Sequence, residues 1–188
     1  ADKLTYSIPD TLSDGSKGKK IEAQTSIFDP CIVELALGWW CPPGGIVLDP
    51  FAGGSVRGIV SSLLGRKYWG SELRQEQVTA NRSQVGPSTC GEYRPIWVCG
   101  DSFETVVTSP KGNLILSCPP YGNLEKYSND PADISSLEYD DFVVRYSQII
   151  FRTCQSLKDN SFACFVVANY RDPKTGELYD LVADTTRA

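Results

Sequence analysis

Two runs of residues in this chain combine types and spacings suited to chemistry. The first, Asp49-Pro50-Phe51-Ala52-Gly53-Gly54-Ser55, follows the apolar triplet Ile46-Val47-Leu48 and precedes a helical pattern. A glycine-rich turn between strand and helix lets the backbone approach a ligand and aims a helix N-terminus at it. A dinucleotide fingerprint needs glycine where Gly53, Ser55 and Gly58 stand, and here an acid, Asp49, precedes them. A carboxylate beside a pyrophosphate would be repelled, so Asp49 favours a ligand with an ammonium or sulfonium at its near end. The second run is Ser117-Cys118-Pro119-Pro120-Tyr121. Consecutive prolines hold an extended backbone, remove two amide donors and leave carbonyl oxygens as acceptors, with an aromatic ring next in line. Such a site suits an exocyclic amino group: the carbonyls accept its hydrogens, its nitrogen becomes the attacking atom, and Tyr121 stacks on a flat base.

Glu72 completes the pattern. It ends the stretch Lys67 to Glu72, where an acid can accept from both ribose hydroxyls. Asp49 with Glu72 therefore suggests an adenosine-containing cofactor that is positive at its far end, conditions that S-adenosylmethionine meets. Singly, each feature has an ordinary structural explanation: Asp49 as a helix cap, Glu72 as a surface acid, Pro-Pro as a strand terminator. Their position at neighbouring strand ends favours the chemical reading.

The elements that must position these residues alternate between two periods. Asp29 and Pro30 open a helix with Ile32, Leu35, Ala36 and Trp39 on one face. After the first strand, Val56, Ile59, Val60, Leu63 and Leu64 are spaced for a second buried helical stripe, closed by Gly65. A strand over 67–72, a helix over 76–84, and strands over 95–99 and 113–116 follow, the third strand stopped by Gly100-Asp101-Ser102. Ser135-x-x-Glu138 reads as a capping box for a long helix with Phe142, Val143, Tyr146, Ile149 and Ile150 on one face. Phe162 to Val167 reads as a fifth strand buried on both faces, and residues 176–187 as a last helix. Strands alternating with helices predict an α/β, Rossmann-like, doubly wound, mostly parallel sheet with helices on both faces.

The wording of LDPFAGGS, GSEL, GDS and SCPPYGNLEKYS resembles S-adenosylmethionine-dependent DNA amino-methyltransferases, which modify adenine N6 or cytosine N4. TSIFDP upstream, and KDNSFACFVV and VADTTRA downstream, resemble a phage and prophage group of DNA modification methylases. The resemblance covers residues 25–188, read as one catalytic domain of class I methyltransferase fold, with 1–24 as a flexible arm or loop. It implies S-adenosylmethionine as cofactor and double-stranded DNA as partner, and a cytoplasmic setting in a bacterial or phage-infected host. It places Asp49, Phe51, Ala52, Gly53, Gly54 and Ser55 at the methionine end, Glu72 at the ribose, Asp101 with Ser102 at the adenine, and Phe28 over the cofactor. Ser117, Cys118, Pro119, Pro120 and Tyr121 become the catalytic loop. The family usually has Asp, Asn or Ser before Pro-Pro, and a thiol at Cys118 is a poor acceptor, which shifts the weight to the Pro119 carbonyl. The family's two further strands, an antiparallel edge pair, are expected beyond the printed residues, as is any target-recognition segment.

Composition bounds the alternatives. With 188 residues, 41% hydrophobic and 22% charged, the chain suits one folded domain and excludes a disordered or coiled-coil protein. Seven cysteines without a C-x-x-C pair, and no histidine, read as reduced thiols rather than a disulfide framework or a zinc site. A net charge of -5 neither requires nor forbids a nucleic-acid partner. Cysteine at 118 keeps a pyrimidine C5-methyltransferase in view. RNA or protein-amide N-methylation and a catalytically inactive binding module remain further alternatives.

Overall fold

The computed structural model describes residues 27–124, 126–172 and 174–188, without the side chain of Asn123. The arm expected over 1–24, and Thr25 and Ser26 of the upstream segment, lie outside the described residues. Five parallel strands form the main sheet: β1 (Ile46–Asp49), β2 (Lys67–Glu72), β3 (Ile96–Cys99), β4 (Gly112–Ser117) and β5 (Leu157–Phe165), in the order β3-β2-β1-β4-β5. The order reverses between β1 and β4, and in an open parallel sheet ligands bind outside the strand ends at such a switch point.

Helices α1 (Pro30–Trp40), α2 (Val56–Leu63) and α3 (Gln75–Ser83) cover one face, while α4 (Ser102–Thr105) and α5 (Tyr139–Cys154) cover the other. Alternation along the strands divides the core accordingly. Val47, Leu114 and Leu116 pack with Val33 and Leu37 of α1, whereas Leu48, Ile115 and Trp69 pack with Val106 on the opposite side. The chain ends with a short antiparallel pair, β6 (Tyr170–Arg171) and β7 (Leu178–Tyr179), and α6 (Leu181–Arg187).

Several expectations are corrected. In α1 the buried set is Val33, Ala36 and Leu37, one residue on from the predicted face, and Leu35 and Trp39 are exposed. This helix is apolar nearly all round, so spacing gives the period but not the phase. In α2 the predicted stripe is only partly inward: Val56 and Val60 pack against the core, but the most buried face is another one. Arg57, Gly58, Ser61 and Ser62 are buried and Leu63 and Leu64 are exposed. The sheet beneath is so bulky that only small residues fit against it: a Cβ on Gly58 would stand 2.5 Å from Trp97 Cζ2. The capping box does not form, because Ser135 lies in a separate 3-10 turn and donates to Asp133 Oδ1 at 2.6 Å, leaving Glu138 as N-cap of α5 without a side-chain cap. Strand β5 is an edge strand, with Phe162 about half exposed, rather than one buried on both faces. Residues 178–179 pair as β7, so the last helix begins only at Leu181.

Candidate active site

Asp49, the last residue of β1, is wholly buried and engaged on both oxygens. Oδ2 accepts from Arg57 Nε at 2.6 Å and from the Tyr68 hydroxyl at 2.7 Å, and Oδ1 accepts from Ser117 Oγ at 2.5 Å and Phe51 N at 3.2 Å. Burial works against charge on Arg57, but Asp49 outweighs it and holds the guanidinium above its ordinary pKa. Burial first, then Asp49, pushes the Tyr68 hydroxyl well above its usual value, so it stays a donor.

The glycine turn is tied down from several sides. Arg57 Nη2 donates to the carbonyls of Phe51 (2.8 Å) and Ala52 (3.0 Å), and Ala52 N donates to Ser71 O (2.9 Å). Gly53 has φ +49°, a backbone conformation suited to glycine, and its carbonyl accepts from Asn81 Nδ2 at 2.8 Å. Ser55 Oγ donates to Gln84 Oε1 at 2.5 Å. A Cβ on Gly53 or Gly54 would meet no atom within 4 Å, so the turn faces open space.

That space is a cavity of about 780 Å³ over the ends of β1, β2 and β4. Its walls include Phe28, Phe51, Gly53, Gly54, Ser55, Glu72, Asp101, Ser102, Cys118, Pro119, Pro120 and Tyr121. The sequence motifs thus converge on one volume, of the size of small-molecule sites, about 300–1,000 Å³. Three expected site residues, Asp49, Ala52 and Ser117, are buried behind this wall and reach the cavity only through what they hold.

Glu72 Oε1 accepts from Arg74 N at 3.0 Å and stands 3.4 Å from Arg74 Nε, while Oε2 has no partner among the described residues. Asp101 caps α4 through Phe103 N (2.8 Å) and pairs with Arg145 Nη2 (2.7 Å). Ser102 Oγ donates to Pro50 O and approaches Ser71 Oγ. The Phe28 ring lies over Arg57, its centroid 4.6 Å from Cζ.

In the loop after β4, Ser117 O accepts from Val166 N (2.9 Å) and Tyr121 O from Leu124 N (3.0 Å). The carbonyls of Cys118 and Pro119 between them accept from no described residue. Tyr121 meets Tyr170 edge-on at 5.9 Å, and a side chain on Gly122 would collide with the Tyr170 hydroxyl. Burial pushes the Cys118 thiol up, partly offset by Arg57 and reinforced by Asp49. Of the loop residues around the site, Tyr127 lines the cavity, Lys126 and Arg171 are exposed, and Asp172 is buried, accepting from Lys174 N and Thr175 N.

Sequence reasoning missed Arg57, Arg74, Gln84 and Tyr170, which also line the cavity. The available signal for Arg57 was a basic residue eight positions after an acid at a strand end, set inside an apolar helical spacing where a charge needs a partner. Two-residue strands such as β6 carry no periodicity, so nothing marked Tyr170. Among the described residues no group of three His, Cys, Asp or Glu side chains could hold a metal, and no helix is long and apolar enough to cross a membrane.

No protein-family model matches the chain, and no curated protein matches it. Solved structures do. TrmN from Thermus thermophilus is 18% identical with a TM-score of 0.55 over 72% of this chain and 37% of its own. A TehB-like SAM-dependent methyltransferase from Corynebacterium glutamicum is 18% identical with a TM-score of 0.52 over 86% and 72%. Magnesium protoporphyrin IX methyltransferase (ChlM) from Synechocystis PCC 6803, solved with bound SAM, is 13% identical with a TM-score of 0.51 over 84% and 65%. The chain thus spans little more than a third of TrmN. Together with the sheet order, these likenesses show the class I methyltransferase fold.

Proposed function

We propose that this chain methylates an exocyclic amino group of a nucleobase, adenine N6 or cytosine N4, in duplex DNA, with S-adenosylmethionine as methyl donor. The observation that carries the reading is the pair of carbonyls at Cys118 and Pro119, which accept from no described residue, beside Tyr121 in the same cavity as Glu72. The cofactor fits the residues present: Glu72 Oε2 is available to ribose hydroxyls, and Gly53 and Gly54 leave room for close backbone approach. When bound it supplies an electrophilic methyl group on a sulfonium.

The chain's own residues then act on the amine. The Pro119 carbonyl, with that of Cys118, accepts its N–H groups and turns the nitrogen lone pair out of the ring's conjugation. These carbonyls would orient the N–H bonds rather than keep a proton: the carbon–sulfur bond of the sulfonium would break as the carbon–nitrogen bond forms, and the proton displaced from the nitrogen would leave to solvent. Tyr121, braced by Tyr170, offers a face for the base. A base in duplex DNA reaches this loop only by leaving the stack, at a cost of a few kcal/mol. Cys118 is poorly suited to attack a pyrimidine ring, because nucleophilic catalysis needs a thiolate and burial favours the thiol.

The test incubates the protein with labelled S-adenosylmethionine and, in separate reactions, unmodified duplex DNA, RNA or a peptide, then identifies the labelled nucleoside or amide by chromatography and mass. Label on adenine N6 or cytosine N4 is expected. Label on cytosine C5 would replace amino transfer by attack from Cys118. Label on RNA or a peptide amide, with none on DNA, would reassign the substrate.

A further inference from the structure

Arg57 engages two of its three guanidinium nitrogens, Nε with Asp49 and Nη2 with the carbonyls of Phe51 and Ala52. Nη1 donates to no described residue, although the side chain is only 6% exposed and the residue lines the cavity. Among the described residues Nη1 is thus left as a donor on a cation at the cavity wall, open to an acceptor from outside the chain. The Phe28 ring lies on one face of the guanidinium, so an acceptor is best received in its plane, at Nη1.

Neighbouring groups have the same character. The amides of Gly53, Gly54 and Ser55 donate to no described residue, nor does the amide nitrogen of Gln84, whose Oε1 accepts from Ser55. The cavity is therefore polarised. Acceptors stand at the end of β2, at Glu72, and donors gather at the turn after β1, the arrangement needed by a molecule with a diol at one end and an anion at the other.

We infer that Arg57 Nη1, with the amides of the glycine turn, binds the carboxylate of the cofactor's amino-acid end. The inference rests on the S-adenosylmethionine reading and assigns Asp49 a different part from the one expected of it. The acid does not meet the cofactor's cation; it orients the arginine that meets the cofactor's anion.

The test is calorimetric and independent of turnover. S-adenosylhomocysteine and its decarboxylated analogue, which keeps the chain and the amine, are titrated into the wild-type protein and into Arg57→Lys. Lysine keeps a charge opposite Asp49 but cannot span Asp49, the loop carbonyls and a ligand together. S-adenosylhomocysteine is expected to lose about 10- to 100-fold in affinity in the variant, the scale of a hydrogen bond to a charged group. The decarboxylated analogue should change less than about threefold, because it has no carboxylate for the lost donor. Asp49→Asn/Arg57→Met, which removes both charges, should repeat the selectivity, and the ratio of the two affinities on one sample does not depend on the fraction folded. Equal losses for both ligands would reduce Arg57 to a shaper of the turn and overturn the inference alone. Failure of the wild-type protein to bind either ligand would overturn the cofactor reading and this inference with it.

Discussion

Asp49 receives three side-chain donors and a backbone amide, and the most demanding of them is Arg57, whose side chain is nearly as buried as its own. Removing one partner of a buried ion pair leaves an uncompensated charge at a cost of about 3–5 kcal/mol. Asp49→Ala should therefore lower the unfolding free energy of the ligand-free protein by about that much, a large share of the roughly 5–15 kcal/mol that domains possess. Asp49→Ala/Arg57→Met, with both charges gone, should recover part of the loss, and urea unfolding of the four members of the cycle measures the coupling. A variant of unchanged stability that had lost only cofactor affinity would return Asp49 to direct contact with the ligand. At this scale the sequence was informative about which positions matter and less so about what they touch. Glu72, Pro119 and Tyr121 needed only their place at a strand end. The partner of Asp49 lay in a helix whose spacing pointed its apolar side inward, and no rule of spacing reveals that a buried face is polar.

At the scale of elements, α2 shows why. Helical spacing assumes that the apolar stripe meets the core, yet Tyr68 and Trp97, packed 5.7 Å apart, fill the space that larger helix residues would need. The helix instead presents Gly58 to these rings and places Arg57 beside Asp49; Ser62 Oγ donates to Tyr93 O. A Cβ at Gly58 would lie 2.5 Å from Trp97 Cζ2 and 3.1 Å from Pro95 Cβ and Tyr68 Cδ1. Gly58→Ala should force α2 away from the sheet, at about 1–3 kcal/mol for overpacking less the gain in helix propensity. In a domain of this size a net loss of about 1–2 kcal/mol lowers Tm by roughly 2–8 °C, read by thermal unfolding followed by circular dichroism. An unchanged or higher Tm would mean that the rings yield and that the close approach is not needed. By contrast, β2 was legible in full, since Lys67 to Glu72 is bounded by Gly65 on one side and an acid on the other. The β6–β7 pair was not, because a ladder of two residues per strand leaves no pattern in composition.

Across the whole molecule, the thiols share one direction. Burial pushes Cys41, Cys118, Cys154 and Cys164 above the ordinary value of 9.0, and each stays unpaired. They are distributed over the C-cap of α1, the loop after β4, α5 and β5, so their titration samples both faces of the sheet. Tyr170, beside the loop that follows β4, is pushed up to about 12, again by burial first. A group whose pKa is higher in the folded state binds its proton more tightly there, and its contribution to stability is complete below the unfolded pKa. As pH rises past about 9, the unfolded chain releases protons that the folded chain retains, and stability falls. The urea midpoint should therefore be level between pH 7 and about 8 as far as these groups determine it, and decline progressively above about 9. Cys154→Ala, which removes one raised thiol away from the cavity wall, should shallow that decline while lowering the midpoint at neutral pH by the packing it loses. A midpoint level through pH 10 would mean that these thiols ionise as readily in the fold as in the unfolded chain, and that the burial around Cys118 does not hold it protonated against attack chemistry.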